Sequence, residues 1–109
     1  MPADPASADH VVCFGTAMAV SLASGGTAGD VAWIGFAPEG AGWRPVKAAG
    51  GYKLGLFVSH EQLEVVLPVY RRSDPNCCPT GGFDRAFYRL DGKRLVVTEL
   101  LHTKTFIRP

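Results

Sequence analysis

From His10 onward the chain is a succession of short apolar runs divided by glycine-rich turns. Over residues 11–22, Val12, Phe14, Thr16, Met18, Val20 and Leu22 alternate with Cys13, Gly15, Ala17 and Ala19, the period of two that predicts one long strand. The alanine-rich centre of that run would also tolerate a helical turn. Residues 24–30 read as a turn and residues 31–37 as a second strand. Residues 43–48 read as an edge strand, because Pro45 has no N–H to give to a ladder. Residues 52–59 and 62–70 form a hairpin about His60-Glu61, with Leu54, Leu56 and Val58 sharing one face of the first strand and Leu63, Val65, Leu67 and Val69 one face of the second. Asp91-Gly92 then suits a two-residue turn. That frame sets Arg89 opposite Arg94 and Phe87 opposite Val96. It gives Ala86, Tyr88, Leu95 and Val97 to the core and Arg85, Arg89 and Arg94 to the opposite face. Residues 103–107 supply a last strand.

The sum is an all-β, single-domain antiparallel meander of seven or eight strands, closed as a small barrel or a sandwich. Residues 1–9, with two prolines and no large apolar side chain after Met1, read as a flexible lead, and 10–109 as the β domain. With 47% apolar and 19% charged residues in 109, the chain can bury one core and is not a disordered tail.

Charge narrows the function. A net +1 lacks the basic excess that drives nucleic-acid binding. The distribution is uneven: all 11 Lys and Arg lie from Arg44 onward against 6 acids, whereas residues 1–42 carry only Asp4, Asp9, Asp30 and Glu39. Solvated strand faces pairing across a sheet explain most of that asymmetry, and an anion-binding face is the sharper reading. No apolar window is long enough to span a membrane as a helix, and the N-terminus lacks the basic start and apolar run of a signal peptide. An exported chain would thus be present here as its mature part.

Between the two C-terminal hairpins lies Arg71-Arg72-Ser73-Asp74-Pro75-Asn76-Cys77-Cys78-Pro79-Thr80-Gly81-Gly82. Two prolines fix φ, two glycines permit positive φ, and Asp74 and Asn76 can bond their own backbone, which predicts a shaped loop. Three cysteines leave one unpaired in any bridged form. Cys13 could join Cys77 or Cys78, the neighbours could join each other, or all three could be thiols. In an exported protein the Cys13 bridge is favoured, since closing a loop of about 64 residues contributes roughly 3 to 4 kcal/mol in the chain-entropy picture.

The string Tyr70-Arg-Arg-Ser-Asp-Pro-Asn-Cys-Cys-Pro-Thr-Gly-Gly82, with the aromatic-rich strand and Leu90-Asp-Gly-Lys-Arg-Leu95 turn after it, resembles the LppP/LprE lipoprotein family over about residues 52–97. These are small mycobacterial and related bacterial cell-envelope proteins of unknown biochemical role. The resemblance implies export and brings no catalytic residues. Cys13 follows His10-Val11-Val12 rather than an apolar export segment, a departure from the family's lipid-attachment pattern.

Catalytic signatures are lacking. Ser59-His60-Glu61 offers the residue types of a hydrolase, but neighbours on a turn point apart. Adjacent cysteines seldom reach one metal ion together, and no C-x-x-C spacing supports zinc or redox chemistry. The sequence therefore predicts a non-enzymatic envelope or secreted binding module without metal or cofactor. Its expected contacts are Arg71, Arg72, Asp74, Asn76, Arg85, Arg89 and Arg94, and its partner an envelope protein, a glycan or an anionic ligand. A small β-barrel carrier of an apolar or anionic ligand is the alternative, and a cysteine-dependent redox or metal-binding protein stands behind both.

Overall fold

In a computed structural model, which describes residues 8–25, 29–75 and 77–106, the chain forms eight antiparallel strands. These are β1 (Ala8–Phe14), β2 (Ala17–Ala23), β3 (Asp30–Glu39), β4 (Gly42–Gly50), β5 (Gly55–Ser59), β6 (Gln62–Pro68), β7 (Phe83–Asp91) and β8 (Arg94–Thr103). They make two four-stranded meanders, β1-β2-β3-β4 and β5-β6-β7-β8, with no strand shared between sheets. The architecture is a sandwich, not a closed barrel. β4 is the edge expected from Pro45.

Two expectations fail for identifiable reasons. Residues 11–22 are two strands: Phe14 pairs with Ala17 across a Gly15-Thr16 turn, so a single glycine at φ +56° is the only punctuation in an unbroken alternation. The expected last strand at 103–107 is not formed over its described part: β8 ends at Thr103, residues 104–106 follow it as bends, and residue 107 lies outside the described residues. At the lead, Ala8 and Asp9 belong to β1, and the rest of it lies outside the described residues.

The β7–β8 hairpin is also framed one residue later than expected, with Gly92-Lys93 as its loop. Asp91 therefore faces Arg94, Leu90 faces Leu95 and Arg89 faces Val96. That frame replaces an arginine pair with an acid–base pair and a leucine pair. Only the first loop residue, Gly92, has positive φ, at +63°, as a type II′ turn requires. A bulge between Phe87 and Tyr88 then sets Phe87 opposite Glu99. The His60-Glu61 turn holds both residues at positive φ, 53° and 62°, the type I′ pattern made without glycine.

Phe14, Ala17, Ala19 and Trp33 from one sheet bury against Leu54, Leu56, Leu63 and Val65 from the β5–β6 side of the other. Each large side chain of this set contributes roughly 1.5 to 3 kcal/mol by leaving water. On the reverse of the first sheet, Val20, Ile34 and Phe36 form a second cluster with Met18 and Leu22. All four two-residue turns sit at one end. There Arg44 donates to the Lys93 carbonyl at 2.9 Å, and Leu95 packs so close to Gly35 that a Cβ would stand 2.6 Å from its Cδ1. The three longer connections gather at the opposite end, tied by Gly51 N–H to Val31 O and Leu54 N–H to Asp30 O, each 3.0 Å.

Candidate functional site

The Arg71–Gly82 loop is closed at its neck and clamped inside. Val69 N–H donates to Gly82 O and Gly81 N–H to Val69 O, both at 2.9 Å. Within it, Asp74 accepts the backbone N–H groups of Arg71 and Thr80 at 2.7 Å each, and the Thr80 hydroxyl at 2.8 Å. Those backbone donors, Arg71 first, hold the Asp74 carboxyl below its ordinary value. A side chain at 81 would bring its Cβ to 2.5 Å from Val69 O, so the neck needs glycine there. The expectation of a shaped loop is met in the residues described, among which Asn76 is not included.

The cysteines correct the favoured pairing. Cys77 and Cys78 bond to each other, and Cys13 is a free, exposed thiol. Position explains it: Cys13 stands beside the Gly15-Thr16 turn on the first sheet, while the loop projects from the far end of the second. The long bridge would have to cross the length of the sandwich.

The expected basic face also comes apart. Arg71 and Arg72 are exposed at the loop's start. Arg89 lies near His60 and Gln62 at the tight-turn end, and Arg94 joins Glu39, Arg44 and Asp91 at the neighbouring corner. Arg85 is 5% exposed and wholly engaged. Its Nη1 donates to Glu64 Oε2 at 2.6 Å and its Nε to Thr103 Oγ1 at 3.0 Å. Its Nη2 donates to the carbonyls of Thr105 and Phe106. Arg85 therefore straps the C-terminal segment to the sheet and is not an anion contact. Residues four apart on a strand are separated by roughly 13 Å, so Arg85 and Arg89 could not close on one small ligand.

A concavity that the alternation does not reveal opens between the sheets on the β4–β8 side. It measures about 480 Å³ and is lined by Trp33, Leu54, Leu67, Ala86, Tyr88 and Leu100, among others. Trp33 and Tyr88 meet at 5.3 Å between centroids, tilted by 58°. Burial raises the Tyr88 hydroxyl further above neutral pH, so it is a donor there. At the lining's polar side His102 Nδ1 and Asp84 Oδ1 are 2.7 Å apart. Leu100 is 74% exposed although it lines the cleft. The only trace of this in the sequence is Leu100-Leu101, since consecutive leucines on a strand must face opposite ways.

Among the described residues the only cluster of three metal-capable side chains is Asp9, His10 and Asp30, whose ligand atoms lie within 4.8 Å of one another. None of the cysteines or the other histidines joins it. Ser21 donates to Asp30 Oδ2 at 2.8 Å, so these groups already satisfy one another.

The fold and site together define an all-β sandwich module with an open apolar cleft. No family model matches the chain, and neither a curated protein nor a solved structure is similar to it.

Proposed function

We propose that the protein is a non-enzymatic binding module of the cell envelope or extracellular space that takes a small apolar molecule between its sheets. The observation carrying this is the cleft: about 480 Å³ falls within the range of small-molecule sites, and its walls are mostly apolar, with Asp84, Arg85 and His102 as the charged or titratable members at one side. This is the carrier reading without a barrel, the ligand lying where β4 and β8 diverge. Export is supported by the Cys77–Cys78 bond, which persists in oxidising compartments, and by the loop's resemblance to LppP/LprE proteins. The three histidine contacts lie apart from one another, Ser59–His60 in an exposed turn, Asp84–His102 at the cleft and His10–Asp30 on the first sheet, and the non-enzymatic reading rests on the cleft rather than on any of them.

The test is titration with N-phenyl-1-naphthylamine, a neutral fluorophore that brightens on leaving water. Saturable binding with one site per chain is expected. Ala86→Phe, which fills the cleft, should abolish it. Leu100→Ala should weaken it severalfold without lowering the melting temperature, because an exposed leucine contributes little to folding. Probe fluorescence that never saturates, or that Ala86→Phe leaves unchanged, refutes the proposal.

A further inference from the structure

Lys47 gives the cleft between the sheets a charged pole. It stands on β4 opposite Gly35, two residues before Ala49, so its stem shares the inward face of this edge strand with a residue of the cleft wall. Its Nζ ends 5.9 Å from the centroid of the Tyr88 ring, which is itself part of that wall. An inward-pointing lysine discourages pairing along an edge strand wherever it ends; edge protection alone does not require it to end over an apolar cleft. Both strands that frame the opening are bulged at this level. Val46 is the extra residue in β4, next to Lys47, and Thr98 the extra residue in β8, next to the Tyr88–Val97 pair.

Two donors meet here without an acceptor. A ring face attracts an ammonium but does not neutralise it, and among the described residues no carboxylate lies within ion-pair distance of Lys47. The Tyr88 hydroxyl, a donor at neutral pH, has no hydrogen-bond partner among the described residues. The strands around the pair, β3, β4, β7 and β8, are described over their whole length. The other end of the cleft differs in sign. Asp84 lies four residues before Tyr88 on β7, roughly 13 Å away along the strand, and shares its charge with His102 at 2.7 Å. Arg85 is already paired with Glu64. Between the two poles the wall is Leu54, Val65 and Leu67. An apolar molecule with one anionic head is therefore drawn to Lys47 head first and repelled from the Asp84 end.

We propose that the ligand of the cleft is an apolar monocarboxylate of the medium-chain fatty-acid type, its carboxylate held between the Lys47 ammonium and the Tyr88 hydroxyl and its chain lying along Leu54, Val65 and Leu67. This rests on the cleft being a binding site, as proposed above, and adds the head group and the orientation.

The probes are decanoate and 1-decanol, equal in chain and different in head, each used to displace N-phenyl-1-naphthylamine from the full chain at low salt. Decanol is the more apolar of the two, so burial alone favours it. Decanoate should nevertheless bind about tenfold more tightly, the ratio that a hydrogen bond to a charged group supplies. Lys47→Gln should remove that preference by weakening decanoate alone, and Lys47→Arg should keep it. Tyr88→Phe should weaken decanoate about threefold, as loss of one hydrogen bond does. Lys47 is exposed, so neither variant at 47 should change the melting temperature or the affinity for the naphthylamine. The proposal is overturned, with the cleft reading intact, if the naphthylamine binds and Ala86→Phe abolishes it while decanoate gains nothing over decanol or Lys47→Gln weakens acid and alcohol alike. If the naphthylamine fails to bind, the cleft reading falls by itself; decanoate is then titrated calorimetrically, and the lack of a site that Lys47→Gln weakens overturns this proposal as well.

Discussion

Glu64→Gln is the substitution that examines the outer face of the second sheet most directly. It removes one negative charge and keeps the side chain's shape. Arg85 and Glu64 are 5% and 8% exposed, and their 2.6 Å contact is the guanidinium's one anionic partner among the described residues. Removing one member of a buried ion pair costs about 3 to 5 kcal/mol, because the other charge is left uncompensated. Three remaining oxygen acceptors, on Thr103, Thr105 and Phe106, moderate that here. The expected loss is therefore about 2 to 3 kcal/mol, a large share of the roughly 5 to 15 kcal/mol that holds such a domain together. At about 4 to 8 °C per kcal/mol for a chain near this size, the melting temperature should fall by about 10 to 20 °C. Urea unfolding followed by circular dichroism measures it, with an unchanged slope showing that the folded state stays compact. The double variant Glu64→Leu/Arg85→Met should recover most of the loss, since an apolar pair carries no desolvation cost. A Glu64→Gln protein within about 0.5 kcal/mol of the parent would refute the assignment of Arg85 and Glu64 as a buried, mutually dependent pair.

Three further outcomes follow from the loop and the thiols. Gly81→Ala should cost about 2 kcal/mol and deprotect the Val69 amide in hydrogen exchange, because the added Cβ collides with the Val69 carbonyl that the neck uses; normal protection would show that the neck yields. The Asp74 carboxyl titrates below its ordinary 3.8, so its clamp is complete above that value and is lost as the pH falls through the lower, folded-state value; the Arg71 and Thr80 amide resonances should shift only in that acid range, and a midpoint at or above 3.8 would contradict the clamp. Alkylation of the non-reduced protein should label Cys13 alone, leaving one peptide with Cys77 and Cys78 joined; a label on either of those two would show the bond absent in solution.

The strands were legible because burial on one face forces alternation: β3, β6 and β7 lie where alternation sets them, whereas β5 begins only at Gly55, because the expected start at Tyr52–Leu54 is a turn with Lys53 at φ +53°. Hairpin frame was less so. At residues 90–95 both Asp91-Gly92 and Gly92-Lys93 are plausible loops, and what separates them is which cross-strand pairs result, a property of two segments together. The break at Gly15 was hidden because a two-residue turn interrupts the alternation too briefly to disturb it. Arg85 was misread because sequence shows a charge on a face but not that Phe106 folds back over it. The loop's shape followed from its own residues, whereas the cleft did not: it depends on how far β4 and β8 splay, which is set by contacts such as Leu95 on Gly35 between segments 60 residues apart.

Four of the connections are two-residue turns at one end, and the three longer ones are at the other. Each register is thus fixed from the tight end, where adding one residue would slip a strand and exchange its buried and exposed faces. The far end carries no such constraint. Segments there can lengthen or change composition while the sheets stay as they are, which makes the sandwich a scaffold with one pole of fixed turn length and one pole free to diversify. Grafted or lengthened sequences belong between β2 and β3 or within the closed neck of the disulfide loop, and the same asymmetry gives natural variation a place to alter recognition without renegotiating the fold.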